Sequence, residues 1–156
     1  MNPPGHLSYL EPPFPFPMAQ RLSDALVKSL LDYVFNATAY SGPGTTLKFA
    51  AMRTLPGANG AGGVELSGSG YARVSVTRNT TNFPASALGS GIITNGTAIQ
   101  FPVPTASWGT IAGIAMYDDA GTTFLGAFAL SQTIETGQQL TLPAGSITIQ
   151  LTDAAA

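Results

Sequence analysis

The sequence predicts a mainly β fold: an antiparallel β-sandwich with one amphipathic helix packed on it and an extended Pro-rich N-terminal arm. Three observations carry that expectation. Short apolar runs of period two recur between Gly and Pro turns, a single stretch near the N-terminus has helical periodicity, and six of the twelve prolines fall in residues 1–18. The boundaries read as an arm over 1–18 and one domain over 19–153.

The arm, MNPPGHLSYLEPPFPFPM, interleaves its prolines with Leu7, Tyr9, Leu10, Phe14 and Phe16. Proline fixes φ and biases its predecessor to extended geometry, so Glu11 to Pro17 is expected to run as polyproline II. At about 3.1 Å per residue the arm would reach on the order of 50 Å, far enough to touch a neighbouring subunit. The same composition also suits a solvated tail. The alternating aromatic and apolar side chains suit groove binding, which makes Leu7, Tyr9, Leu10, Phe14 and Phe16 the candidate partner-binding residues.

From Leu22 to Asn36, Leu22, Leu26, Val27, Leu30, Leu31, Val34 and Phe35 fall at the three-and-four spacing of one helical stripe, opposite Ser23, Asp24, Lys28, Ser29 and Asp32. Ser23 or Asp24 is placed to cap the start, and Asn36 with the Ser41-Gly42-Pro43-Gly44 break ends the helix. The wide stripe predicts a helix lying across a sheet face. Thr45 to Arg53 then alternates as a strand, with Leu47, Phe49 and Ala51 inward and the Lys48 side wet. Pro56 to Gly63 reads as a flexible spacer loop, since its glycines lack the Gly-Lys-Ser/Thr pattern of a phosphate cradle. Tyr71 to Thr77 reads as another strand.

Ala106 to Leu130, ASWGTIAGIAMYDDAGTTFLGAFAL, holds the only tryptophan and two apolar runs around Asp118-Asp119-Ala120-Gly121. The break has the composition of a tight turn, so the stretch reads as a hairpin. Its runs lack regular polar alternation, which places the hairpin at the centre of the domain with both faces of at least one strand covered. Gly137 to Leu142 and Ile147 to Leu151 alternate again and predict a second hairpin across Pro143-Ala144-Gly145-Ser146.

Composition narrows the function. Only 9% of residues are charged, against about 25% in ordinary domains, and the net charge is −2. A surface so short of ions points to burial in an assembly, as a homo-oligomer or against other proteins. Without a basic patch, nucleic acid is excluded as a partner, because phosphate-backbone affinity needs clustered Lys and Arg. No run of eighteen apolar residues and no basic, apolar leader appear, so neither a membrane nor a secretory signal is expected. With no cysteine there is neither a disulfide framework nor a thiolate metal site.

Chemistry has little to work with. One histidine, His6, lies in the arm, so neither a Ser-His-Asp triad nor a multi-histidine metal site can be assembled in one chain. Of the eight acids only Asp118 and Asp119 are close in sequence, and in a turn such a pair caps backbone amides. Neither a catalytic residue, a cofactor nor a metal is assigned, and the chain is read as non-enzymatic. Trp108 suits either a core keystone or a sugar-stacking platform, the core reading being favoured. Arg53 and Arg73 read as exposed charges or as partners for acids of another subunit.

The order of these segments resembles a family of small structural proteins of tailed bacteriophages, the tail fibre-like proteins. The resemblance runs from Ala19 to Leu151 through LSDALVKSLLDYVFNATAYS, SGSGYARVSV, FPVPTASWGTIAGIAMYDDAG, LGAFAL and GQQLTLPAGSITIQL. A small domain behind a long arm also resembles the cement proteins that decorate phage capsids. These resemblances imply a virion structural protein made in the bacterial cytoplasm. Its expected place is the capsid surface, stabilising the shell of major capsid protein through domain and arm; the alternative is the tail fibre or tail tip that meets the host.

Overall fold

The computed structural model describes residues 20–37, 39, 42–87 and 90–151. The candidate partner-binding residues Leu7, Tyr9, Leu10, Phe14 and Phe16 lie outside them. The fold is mainly β and antiparallel with one helix, as the sequence predicts. In chain order the elements are β1 (Gln20–Leu22), α1 (Asp24–Phe35), β2 (Thr46–Thr54), β3 (Val64–Glu65), β4 (Val74–Thr77), β5 (Ile92–Thr94), β6 (Ile99–Gln100), β7 (Gly109–Tyr117), β8 (Phe124–Ile134), β9 (Thr141–Leu142) and β10 (Thr148–Gln150).

The main sheet has the order β1-β8-β7-β2-β3, with β4 also paired to β2. The predicted hairpin is β7–β8, and it occupies the middle of this sheet. Asp118 sets its turn: the carboxylate accepts from the amides of Thr122 and Thr123 at 2.8 and 3.0 Å. Gly121, at φ 78°, takes the left-handed position that a side chain would resist.

Alternation then sorts side chains onto two faces of unequal depth. Leu47, Phe49 and Ala51 of β2, Ile114 and Met116 of β7 and Phe128 and Leu130 of β8 face the main core, which Ile99, Phe101, Trp108, Leu140, Leu142 and Ile147 close from above. The opposite face is thin and built from Ala50, Met52, Ala115, Phe124 and Ala127, with Leu55 and Tyr117 against them. The side of β2 that carries Lys48 is therefore not simply wet: Ala50 and Met52 are buried. Pro56 to Gly63 is likewise no idle spacer. Ala58 accepts the Asp24 amide at 2.9 Å, and a Cβ on Gly63 would sit 3.0 Å from Pro56.

The second predicted hairpin does not form. β9 pairs with β6 and β10 with β5, so residues 92–100 and 141–150 make one antiparallel ribbon that breaks in the middle. Asn95, buried, causes the break. Its Oδ1 accepts from the Ile147 amide at 2.8 Å, and its Nδ2 donates to the carbonyls of Pro143 and Thr97 at 2.8 and 2.9 Å. The Pro143–Ser146 turn is thus fastened to Asn95, leaving the flanking strands to pair with β5 and β6 instead of each other.

The helix begins where expected. Ser23 caps it, its hydroxyl accepting from the Leu26 amide at 3.1 Å, and Asp24 places a negative charge in the first turn. Its packing differs from expectation. No residue of α1 is buried, and only Leu26 joins the edge of the main core. The helix touches the sheet chiefly through β8 and stands off its face.

Two substitutions test this packing. At Gly113 an added Cβ would lie 2.2 Å from the Phe128 carbonyl oxygen, so Gly113→Ala is expected to cost about 2–3 kcal/mol in urea unfolding. Asn95→Ala strands the Ile147 amide and two carbonyls and should cost about 3 kcal/mol, with the loss confined to stability and the m-value unchanged.

Candidate interaction surfaces

Three polar constellations of the domain prove to be structural. Arg73 clamps Glu65 in a two-pronged ion pair, Nε to Oε1 at 2.8 Å and Nη2 to Oε2 at 2.6 Å, and its Nη1 reaches the Gly121 carbonyl at 2.6 Å. Its guanidinium carbon lies 4.2 Å above the Tyr117 ring. Tyr71 donates to Glu65 at 2.8 Å and accepts from the Ala51 amide at 3.0 Å. The group ties β3, the entry to β4, β2 and the hairpin turn together. Arg73 thus meets an acid of its own chain, contrary to the expectation of an exposed charge or an intersubunit partner; Arg53 is exposed.

Burial pushes the Glu65 carboxyl up, but hydrogen bonds from Arg73 and Tyr71 and the Arg73 charge outweigh it and hold the group below the usual range. For Tyr71, burial and the Glu65 carboxylate raise the phenol far above its ordinary value. Asp118 follows Glu65: burial raises it, and the Thr123, Thr122 and Gly121 contacts together lower it. Asp119 is held low first by its hydrogen bond from Thr46. These acids are ionised hydrogen-bond acceptors, a state suited to holding backbone and hydroxyl groups rather than to donating protons.

Trp108 is 1% exposed, donates from Nε1 to the Ser69 carbonyl at 3.1 Å, and meets Tyr71 edge to face at 5.6 Å between ring centroids. It belongs to the core, and the sugar-platform reading falls with its burial. Asp118 and Asp119 cap the hairpin turn and its neighbour, Asp119 accepting from the hydroxyls of Thr45 and Thr46. Among the described residues no group of three His, Cys, Asp or Glu is placed to hold a metal ion, and no helix is long and apolar enough to cross a membrane.

Two hollows remain. A cleft of about 260 Å³ between α1 and the β7–β8 turn is lined by Ser29, Asp32, Asp118 and Thr123. Its two carboxylates are already engaged, Asp32 with Lys28 and Asn36, and Asp118 with its own turn. A wider, open trough of about 710 Å³ runs past Leu47, Arg78, Phe83, Ile93 and Ile149. Arg78 is spent on the Gly44 carbonyl and Asn79 on the amides of Thr81 and Asn82.

Among the described residues the most exposed large apolar side chains cluster on α1. Val27 is 42% exposed, Leu31 53%, Val34 64% and Phe35 77%. The sequence displays this stripe but not which part of it is covered, because the core is already closed by the β5–β10 and β6–β9 ribbon.

A β-rich body whose polar groups are committed to holding backbone in place, with an uncovered apolar helix at its side, defines a structural protein that works through surfaces. Residues 21–150 match the family model described as Podophage GP4 fiber I protein gp80, and the chain belongs to that family of phage structural proteins. No curated protein matches the chain. The matched span starts after the Pro-rich arm.

The Arg73 clamp has a pH signature. Because the Glu65 pKa is depressed on folding, its contribution to stability is fully present above the unfolded value near 4.5 and is lost as pH falls through the lower folded value. Stability measured by urea unfolding from pH 7 to pH 3 should therefore fall less steeply for Glu65→Gln than for wild type, with the gap between them greatest above pH 4.5.

Proposed function

We propose that the chain is a fibre subunit of a phage virion, its β-domain a rigid body and its arm, residues 1–18, an anchor on a neighbouring virion protein. The observation that carries this is the family match over residues 21–150, which runs from within β1 to the end of β10. The scarcity of charge fits a chain whose surface is covered by other subunits, and self-association as a homo-oligomer belongs to the same reading. Prolines in the arm reduce the entropy lost when it docks, and several copies on one particle multiply a modest contact.

A second reading has its own observation. The arm precedes the family-matched span, and a separate Pro-rich anchor with Tyr9, Phe14 and Phe16 suits a capsid decoration protein that clamps the major capsid protein. The two readings place different numbers of copies on the particle. Quantitative mass spectrometry of purified virions against the major capsid protein is expected to give copies on the order of tens, as a symmetric fibre set requires. A count near that of the major capsid protein would replace the fibre reading by the decoration reading, and absence from the particle would overturn both.

A further inference from the structure

We propose that the outer face of α1 is a self-association surface, on which the helices of two copies of this chain pack antiparallel across a two-fold axis. The inference names the partner within the reading of an assembled structural protein and rests on that reading, but not on where in the virion the chain sits.

The helix itself demands a cover. It has 12 residues, none of them buried. Isolated helices of that length are marginal in water, and most helical stability in proteins comes from packing one apolar face. Here the start of the helix is tied to the body by the Ser23 amide on the Leu125 carbonyl, the Asp24 amide on the Ala58 carbonyl and the packing of Leu26. They lie at the start of the helix and on one side of it.

Position around the helix does the rest. At 100° per residue, Val34, Val27, Leu31 and Phe35 share an arc of about 100° on the side roughly opposite Leu26 and Ser29. Val27, Leu31 and Val34 follow one another at steps of four and three, the spacing of a helix-to-helix seam. A pairing that sets Val27 against Val34 of the second copy closes this seam on itself and brings Leu31 of both copies to the centre.

Charge selects the direction. Lys28 and Asp32 lie on one flank of the seam and pair with each other within the chain, Lys28 being largely exposed. In an antiparallel two-fold pair that flank meets the same flank of the second helix, with Lys28 within one residue's rise of Asp32 of the other copy. In a parallel pair it would meet the opposite flank, and the two Asp24 carboxylates would come side by side at the N-termini, where they repel.

Size sets the strength. The four side chains expose on the order of 400 Å² of apolar surface per copy, so the pair would bury about 800 Å², less than the roughly 1,200 Å² of a stable complex. The helix pair is therefore a weak, concentration-dependent contact in solution that gains strength when copies are held together.

The test is sedimentation equilibrium of the full chain up to millimolar concentration, with Leu31→Lys, Lys28→Asp and Asp32→Lys. Leu31 is half exposed, so the near-ultraviolet signal of the buried Trp108 should be unchanged and report an intact fold. Wild type is expected to dimerise with concentration, and Leu31→Lys to raise Kd at least tenfold. Lys28→Asp and Asp32→Lys should each weaken self-association several-fold, while an equimolar mixture of the two recovers a heterodimer, which damage within one helix would not do. A chain that stays monomeric throughout, a dimer indifferent to Leu31→Lys, or the absence of rescue on mixing would overturn the proposal. So would a monomer that begins to self-associate only when residues 2–17 are deleted, since the chain's own arm would then be the cover. Virion copy number is measured independently, so either result can fail without the other.

Discussion

The structure depends on how closely β7 is allowed to approach β8. At Gly113 there is room for a hydrogen and no more, because a Cβ would press on the Phe128 carbonyl and the Ala129 backbone. Small residues repeat that economy across the hairpin and its neighbour: Ala50 and Ala51 on β2, Ala115 on β7, Gly126 and Ala127 on β8. Of these, Ala50, Ala115 and Ala127 make one face of the sheet thin enough for the loop after β2 to cover, while Ala51 lies on the other face, where Phe49, Ile114 and Phe128 build the deep core. β2 pairs with β7 over residues 113–117 and β1 with β8 over residues 126–128, and the Arg73–Glu65 pair fastens the hairpin turn to the strands behind β2. The result is a body in which polar side chains are consumed by the fold.

Where the sequence was legible, a local rule and the tertiary structure agreed. Ser23 caps the helix because its hydroxyl suits that position whatever the helix packs on, and the turn follows from the Asp118 carboxylate accepting backbone amides and from Gly121 having no side chain to resist a positive φ. Trp108, flanked by Ser107 and Gly109, fills the core. Where the structure departs from expectation, a distant residue decided. Period-two alternation on both sides of Pro143–Ser146 looks like a hairpin, yet the Asn95 side chain, about fifty positions earlier, takes the turn's backbone groups for itself. Likewise Lys48 marks a solvent side only at its own position, since Ala50 and Met52, two and four residues on, are buried in a cluster with Phe124, Leu55 and Tyr117. The Arg73–Glu65 pairing has no signal in spacing alone. The partner-binding residues assigned to the arm lie outside the described residues and rest on composition.

The apolar stripe of α1 is the most instructive difference. Periodicity establishes that one side of a helix is apolar, and the usual consequence is burial against the domain's own sheet. In this chain the main core is already filled from above by the broken ribbon, so the stripe is surplus to the fold. Surplus apolar surface on a chain with few charges is what an assembling protein presents, in keeping with its membership of a phage structural family. The Pro-rich arm and α1 would then divide the work, the arm reaching outward and the helix meeting a second copy.

The central claim is that α1 is incomplete in the free chain and completed by assembly. Amide hydrogen exchange compares its two states directly, with β7 and β8 as the slow internal reference. In dilute protein the amides of residues 28–35 should exchange far faster than those of the central hairpin, and in the assembled particle they should be protected to a similar degree. Protection of α1 that is already full in the dilute chain, or unchanged on assembly, would contradict the account.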